Sequence, residues 1–98
     1  MFKILKSIFS RNKVNISELI ENGALVIDVR SPAEFKSGHW KGAQNIPLQD
    51  IQTKLNSLKK KSVPIVACCA SGMRSGKAVK IMNSNGIEAY NAGSWRNL

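Results

Sequence analysis

The sequence predicts an α/β domain with a central, mostly parallel sheet and helices on both of its faces. Two stretches, Ala24-Leu25-Val26-Ile27 with Val29 and the segment from Val63 to Cys68, are continuous apolar runs. A strand with one wet face alternates, whereas an uninterrupted run belongs to a strand covered on both sides, as in parallel sheets. The third observation is the placing of helix signals between these runs: capping residues, Gly stops, and apolar residues at spacings of three and four. At 98 residues, 43% hydrophobic and 21% charged, the chain can bury one core, and a wholly disordered chain is excluded.

The elements follow in order. Met1 to Lys13 carries four cations and no acid, and Phe2, Leu5, Ile8 and Phe9 share one helical face. Residues 1–13 therefore read as a basic amphipathic segment ahead of a domain at 14–98. Lys3 and Lys6 interrupt the apolar core that a secretory signal needs, and no A-x-A site follows, so a cytoplasmic protein is expected. Val14-Asn15-Ile16 reads as an edge strand, and Ser17 as the cap of a short helix stopped by Gly23. After the first buried strand, Ser31-Pro32-Ala33-Glu34 has the form of a capping box with Pro at the first helical position, and Gly38 ends that helix early. Asn45-Ile46 reads as a short strand, and Leu48, Ile51, Leu55 and Leu58 form one apolar helical face. Pro64 stands at the start of the second buried strand, where a missing donor is tolerated. Ala78, Val79 and Met82 mark another helix, closed by Asn85-Gly86, and Glu88-Ala89-Tyr90 a last short strand.

Several function classes are excluded by composition. No apolar run approaches ~18 residues, so no helix spans a membrane. Cys68 and Cys69 are adjacent and His39 is the lone histidine, which rules out a disulfide scaffold and a Cys/His zinc site. No metal and no cofactor is expected. The formal net charge is +9, and no acid lies between Asp50 and Glu88. Such a chain attracts anions. The acid-free stretch has no aromatic residue, which argues against a nucleic-acid stacking platform and leaves an acidic membrane surface or small anionic substrates. Lys59, Lys60 and Lys61 read as a solvated surface.

In a parallel sheet the site lies beyond the carboxyl ends of the strands. Two segments fall there: Asp28-Val29-Arg30, and Cys69-Ala70-Ser71-Gly72-Met73-Arg74-Ser75-Gly76-Lys77. A loop that leaves a strand and enters a helix turns its N–H groups inward and makes a concavity for an anion. Gly72 permits backbone conformations closed to other residues, and a helix starting near Arg74 or Ser75 adds its positive end. Cys69 in that field is the expected nucleophilic thiolate. Ala70, Ser71, Gly72, Met73, Arg74 and Ser75 form the cradle, with Arg74 and Lys77 as the nearby cations. Cys68 reads as a buried, inert thiol. Asp28 and Arg30 read as supporting residues that pair with each other or with the loop. His39 reads as a structural hydrogen-bonding residue, and Trp40 and Trp95 as packing residues, with Trp95 also a candidate to line the site.

Cys69-x-x-Gly72-x-Arg74-Ser75 resembles the active-site loop of the rhodaneses, the sulfurtransferase domains. Asp28-Val29-Arg30-Ser31-Pro32-Ala33-Glu34-Phe35, Gly38-His39-Trp40-Lys41-Gly42-Ala43 and Asn45-Ile46-Pro47 resemble the family's upstream segment. Asn91-Ala92-Gly93-Ser94-Trp95 resembles its terminal glycine-rich turn and Trp. Trp40 stands where Ile is usual, and Ala92 where the first terminal Gly is usual. The resemblance implies a rhodanese-like fold over residues 14–98 and a two-step sulfur transfer. A persulfide forms on Cys69 from thiosulfate or a related small anionic donor and passes to cyanide or a thiol, a protein thiol included. Two other readings stay open. One is a non-catalytic rhodanese-like binding module. The other, counted from Cys68, is a Cys-x5-Arg phosphatase or arsenate-reductase-like enzyme, which wants a wider cradle and a general acid. Glu88 is the sole acid between Cys69 and Tyr90.

Overall fold

The computed structural model describes residues 14–98, and the basic segment expected at residues 1–13 lies outside them. Along the chain run α1 (Ile16–Glu21), β1 (Leu25–Asp28), α2 (Pro32–Ser37), β2 (Gln44–Asn45), a 3-10 turn (Leu48–Asp50) and α3 (Ile51–Lys61). They are followed by β3 (Ile65–Cys69), α4 (Met73–Ser84), β4 (Ala89–Ser94) and a second 3-10 turn (Trp95–Asn97). The strands form one sheet in the order β2-β1-β3-β4, and all three pairings are parallel.

The uninterrupted apolar runs do what their pattern requires. Successive side chains of a strand point to opposite faces, so β1 and β3 feed two separate cores. On one face Ile27, Val29, Ile65, Ala67 and Cys69 pack with Ile51 and Leu58 of α3 and Ala78 and Met82 of α4. On the other, Val26, Val66 and Cys68 lie under Ile16, Leu19 and Ile20 of α1 and under Trp40, Trp95 and Leu98. Ile27, Ile51 and Ile65 are fully buried, each contributing roughly 1.5–3 kcal/mol by removal from water.

Two local expectations are corrected. The stretch Val14-Asn15-Ile16 is no edge strand. Asn15 caps α1, its side-chain oxygen accepting from Glu18 N at 3.1 Å, and Ser17 lies inside the helix. Asn15 supplies the acceptor that the first helical turn lacks, and the apolar spacing of Ile16, Leu19 and Ile20 then faces the sheet. The last strand is also longer than Glu88-Ala89-Tyr90. It runs through Asn91-Ala92-Gly93, because β3 offers a partner along its whole length. Ala67 pairs with Asn91 and Cys68 with Gly93, so Ala92 is the extra residue of a β-bulge.

The capping box of α2 forms as its sequence requires, with Ser31 Oγ accepting from Glu34 N and Glu34 accepting from Ser31 N. Just before it, Asp28 and Arg30 lock the carboxyl end of β1. Arg30 Nε donates to Asp28 Oδ1 at 2.9 Å and Nη2 to Oδ2 at 2.8 Å, while the Arg30 N–H donates to Oδ1 at 3.0 Å. Arg30 Nη2 also reaches the Gly38 carbonyl at 2.7 Å, and its guanidinium lies 4.8 Å from the centre of the Trp95 ring. The pair thus ties β1 to the end of α2 and to the carboxyl-terminal turn.

Both members of this pair are buried, Asp28 at 0% and Arg30 at 5% exposure. Removing one leaves the other charged and dry. Asp28→Ala is therefore expected to lower unfolding free energy by about 3–5 kcal/mol, whereas a double Asp28→Leu, Arg30→Met variant loses less than that single one. Urea unfolding of the two variants checks this.

Candidate active site

β3 is buried along its whole length to Cys69, and the chain then turns through Ala70, Ser71 and Gly72 into α4. Gly72 has φ 108°, a conformation that residues with a side chain rarely adopt, and a Cβ there would lie 3.2 Å from Gly93 Cα. This reversal aims backbone N–H groups at the Cys69 sulfur. The Gly72 N–H donates to Sγ at 3.0 Å and the Ser75 N–H at 3.4 Å, and the Ser75 hydroxyl oxygen lies 3.3 Å away. Gly72, the N-cap of α4, makes no side-chain capping bond. The Cys69 sulfur fills that part, taking up N–H groups that a helix start leaves without partners.

These contacts set the acidity of the thiol. Burial pushes it up. Hydrogen bonds from the Ser75 hydroxyl and from the Ser75, Gly72 and Ser71 N–H groups outweigh that and bring it from 9.0 to about 7. Cys68, its neighbour, is the opposite case. Burial first, and the Asp28 carboxylate second, push it up to about 12. Cys68 packs with Val26 and Val66 on the face away from the loop, so the Cys-x5-Arg reading has no thiol in its cradle.

The residues expected at the site divide into two groups. Cys69, Gly72 and Ser75 converge within hydrogen-bond distance, with Ala70 and Ser71 as the exposed turn between them and Met73, 76% exposed, on its rim. Arg74 is drawn aside. Its Nη1 and Nη2 donate to Glu34 Oε1 and Oε2 at 2.7 and 3.0 Å, joining the start of α4 to the start of α2. The Arg74 guanidinium, followed by the Ser31 N–H, holds the Glu34 carboxyl down at about 2. Lys77 lies exposed along α4 in a shallow groove with Gln52 and Lys80. Hydrogen bonds, more than these cations, favour the thiolate.

Asp28 and Arg30 lie on the sheet face that Cys68 shares, across β3 from Cys69, as does Trp95, whose ring centre is 4.8 Å from the Arg30 guanidinium and 4.7 Å from that of Arg96. His39 is exposed, stacked on Phe35 at 3.7 Å, with Nδ1 donating to the Phe35 carbonyl at 2.7 Å. Two residues named in the sequence for other reasons also belong to the site. Glu34 was legible as a capping residue but not as the partner of Arg74. Asn91, on β4, was legible only as the first residue of the terminal turn, and it bonds to both Ser75 and Gly72. Among the described residues no three His, Cys, Asp or Glu side chains gather to hold a metal. The arrangement can hold one sulfur anion in a ring of donors. Cys69 is only 1% exposed, so little of its sulfur is open to solvent.

A model of the rhodanese-like domain family matches residues 13–97. Among curated proteins, an uncharacterized protein of Bacillus subtilis, YqhL, is 41% identical over 69 residues, covering 69% of this chain and 54% of that one. The thiosulfate sulfurtransferase PspE of Escherichia coli is 31% identical over 74 residues, covering 74% of this chain and 71% of that one. In structure, a human single-domain sulfurtransferase superposes with a TM-score of 0.68 at 30% identity, covering 83% of this chain and 85% of that one. The family match leaves out only the first twelve residues and Leu98. It therefore takes in every helix and strand described, and the chain belongs to the rhodanese-like domain family.

Proposed function

We propose that the protein is a cytoplasmic sulfurtransferase that moves sulfane sulfur from thiosulfate, or a related small anionic donor, to a thiol or cyanide acceptor by way of Cys69. The observation that carries this reading is the ring of donors around one sulfur atom, with a thiol that titrates at about 7. The Cys69 thiolate attacks the outer sulfur of thiosulfate. A sulfur–sulfur bond forms on Cys69, the old one breaks, and sulfite leaves with its electron pair. In this reading the outer sulfur of the persulfide carries the negative charge, and loop N–H groups, two of which bond the Cys69 sulfur at rest, turn to it. An acceptor thiolate or cyanide then attacks that atom and returns Cys69 as a thiolate, the pattern of covalent double displacement. The burial of Cys69 favours donors that end in a single sulfur atom over tetrahedral oxyanions. The relative from Escherichia coli, named for thiosulfate, supports that choice of donor. The +9 charge draws anions toward the protein as a whole, while Arg74, neutralised by Glu34, shapes the loop.

Incubation with thiosulfate is expected to add about 32 Da, one sulfur atom, to Cys69. Cys69→Ser abolishes both adduct and transfer, and Cys68→Ala keeps most of both. An unchanged mass in the presence of thiosulfate would instead favour a binding module. Loss of activity in Cys68→Ala with retention in Cys69→Ser would return the wider loop counted from Cys68.

The acidity of Cys69 gives a pH profile. Its value is lowered, so the thiolate predominates above about pH 7 and the thiol below it. Alkylation by iodoacetamide, read by mass at Cys69, is expected to level off above that midpoint and to fall about tenfold per pH unit below it. A midpoint near 9, the ordinary thiol value, would show that the loop donors do not stabilise the thiolate.

A further inference from the structure

Asn91 plays no part in the reaction as described so far, yet its side chain spans the loop. Its amide can take only one orientation. The Gly93 N–H donates to Oδ1 at 2.9 Å, and Nδ2 donates to the Gly72 carbonyl at 3.0 Å. Oδ1 can only accept, so the Ser75 hydroxyl, 2.7 Å from it, must be the donor of that bond. A hydroxyl has one proton. With that proton on the line to Asn91, Ser75 faces the Cys69 sulfur, 3.3 Å away, with its lone pairs. This arrangement suits a thiol, which can donate its own proton to Ser75. It opposes a thiolate, because two acceptors then face each other.

We propose that Asn91 is a positioning residue that competes with the Cys69 sulfur for the single proton of the Ser75 hydroxyl. While Cys69 is a thiol, the proton order runs from Cys69 to Ser75 to Asn91. When Cys69 ionises, the Ser75 hydroxyl rotates and donates to sulfur instead, giving up the Asn91 bond. If sulfur transfer proceeds as proposed above, the inner sulfur of the persulfide is uncharged and the hydroxyl turns back to Asn91, while the loop amides hold the outer sulfur. The hydroxyl thereby changes partner with each half-reaction.

Charged groups nearby do not offer a simpler control. Arg74 of α4 is bound to Glu34 of α2, and Asp28 and Arg30 of the β1 end are paired across the sheet. Cys68 is held as a neutral thiol. Within β4 the one titratable side chain is Tyr90, whose hydroxyl donates to Glu88 at 2.6 Å.

The test follows the Asn91 side-chain carbonyl carbon by NMR across the Cys69 titration, using the full chain without any sulfur donor. Its chemical shift is expected to move with the same midpoint as Cys69 alkylation, and to stay flat in Ser75→Ala. Asn91→Ala should lower the alkylation midpoint by about half a pH unit when Ser75 is present, the scale of one modest hydrogen bond. In the Ser75→Ala background the same substitution should leave the midpoint unmoved. A flat Asn91 signal in the unmodified chain overturns the proposal. So does an Asn91→Ala shift of equal size in both backgrounds, which would assign Asn91 to loop shape alone. A missing sulfur adduct with these shifts present would sink the sulfur-transfer reading only. An adduct with a flat Asn91 signal would sink this one only.

Discussion

The structure around the site depends on one backbone reversal. In the residues between Cys69 and Ser75 the chain must leave the most buried strand, turn, and begin a helix without stranding its N–H groups. Gly72 makes the turn at φ 108°, where a side chain would be strained and its Cβ would crowd Gly93 Cα at 3.2 Å. The sulfur of Cys69 accepts the N–H groups that the turn and the first helical residues expose. Structure and reactivity are therefore one arrangement here. The acceptor that completes α4 is the atom whose anionic form those donors favour. β4 adapts to the same reversal, since its bulge at Ala92 brings Gly93 against Gly72 and Asn91 into the loop.

A strongly basic chain invites an explanation by charge, but the geometry assigns charge a secondary part at short range. Arg74, the cation nearest the loop in sequence, has a carboxylate on both terminal nitrogens. What lowers the Cys69 thiol is short, directed hydrogen bonding that overcomes burial. Such bonds are little affected by salt, whereas the attraction of a donor by distant lysines is screened over ~8 Å at physiological ionic strength. In the proposed reaction, attraction of a donor and activation of the thiol thus rest on different interactions.

Much of this was legible because it is local. The capping box at Ser31 and Glu34 is written in four consecutive residues, and the double-sided burial of β1 and β3 in uninterrupted apolar runs. The loop from Cys69 to Ser75 is likewise contiguous, so its donors could be anticipated. What failed was also instructive. Val14-Asn15-Ile16 has the alternation of a strand, but Asn15 with Glu18 three residues on is also a helix-start spacing, and it is that signal which the fold obeys. Asn91-Ala92-Gly93 has turn composition, and only pairing with β3 makes it a strand. Glu34 and Arg74 are forty residues apart, and Ser75 and Asn91 sixteen, so both partnerships come from the sheet order rather than from any pattern along the chain.

The division of the two sulfur atoms between opposite faces of β3 has a consequence for how the gene can vary. A point substitution in β3 changes one side chain and leaves its neighbours facing where they did. An insertion or deletion of one codon among residues 65–69 acts on the alternation itself. Either the strand absorbs the change as a new bulge, or every side chain on one side of it exchanges faces. In the second case the thiol that meets the loop would be turned under Trp95, and the one now kept neutral beside Asp28 would be turned toward α4. Variation in length is therefore expected to accumulate in the segments between strands and to be purged from this one, even where amino-acid identity drifts freely.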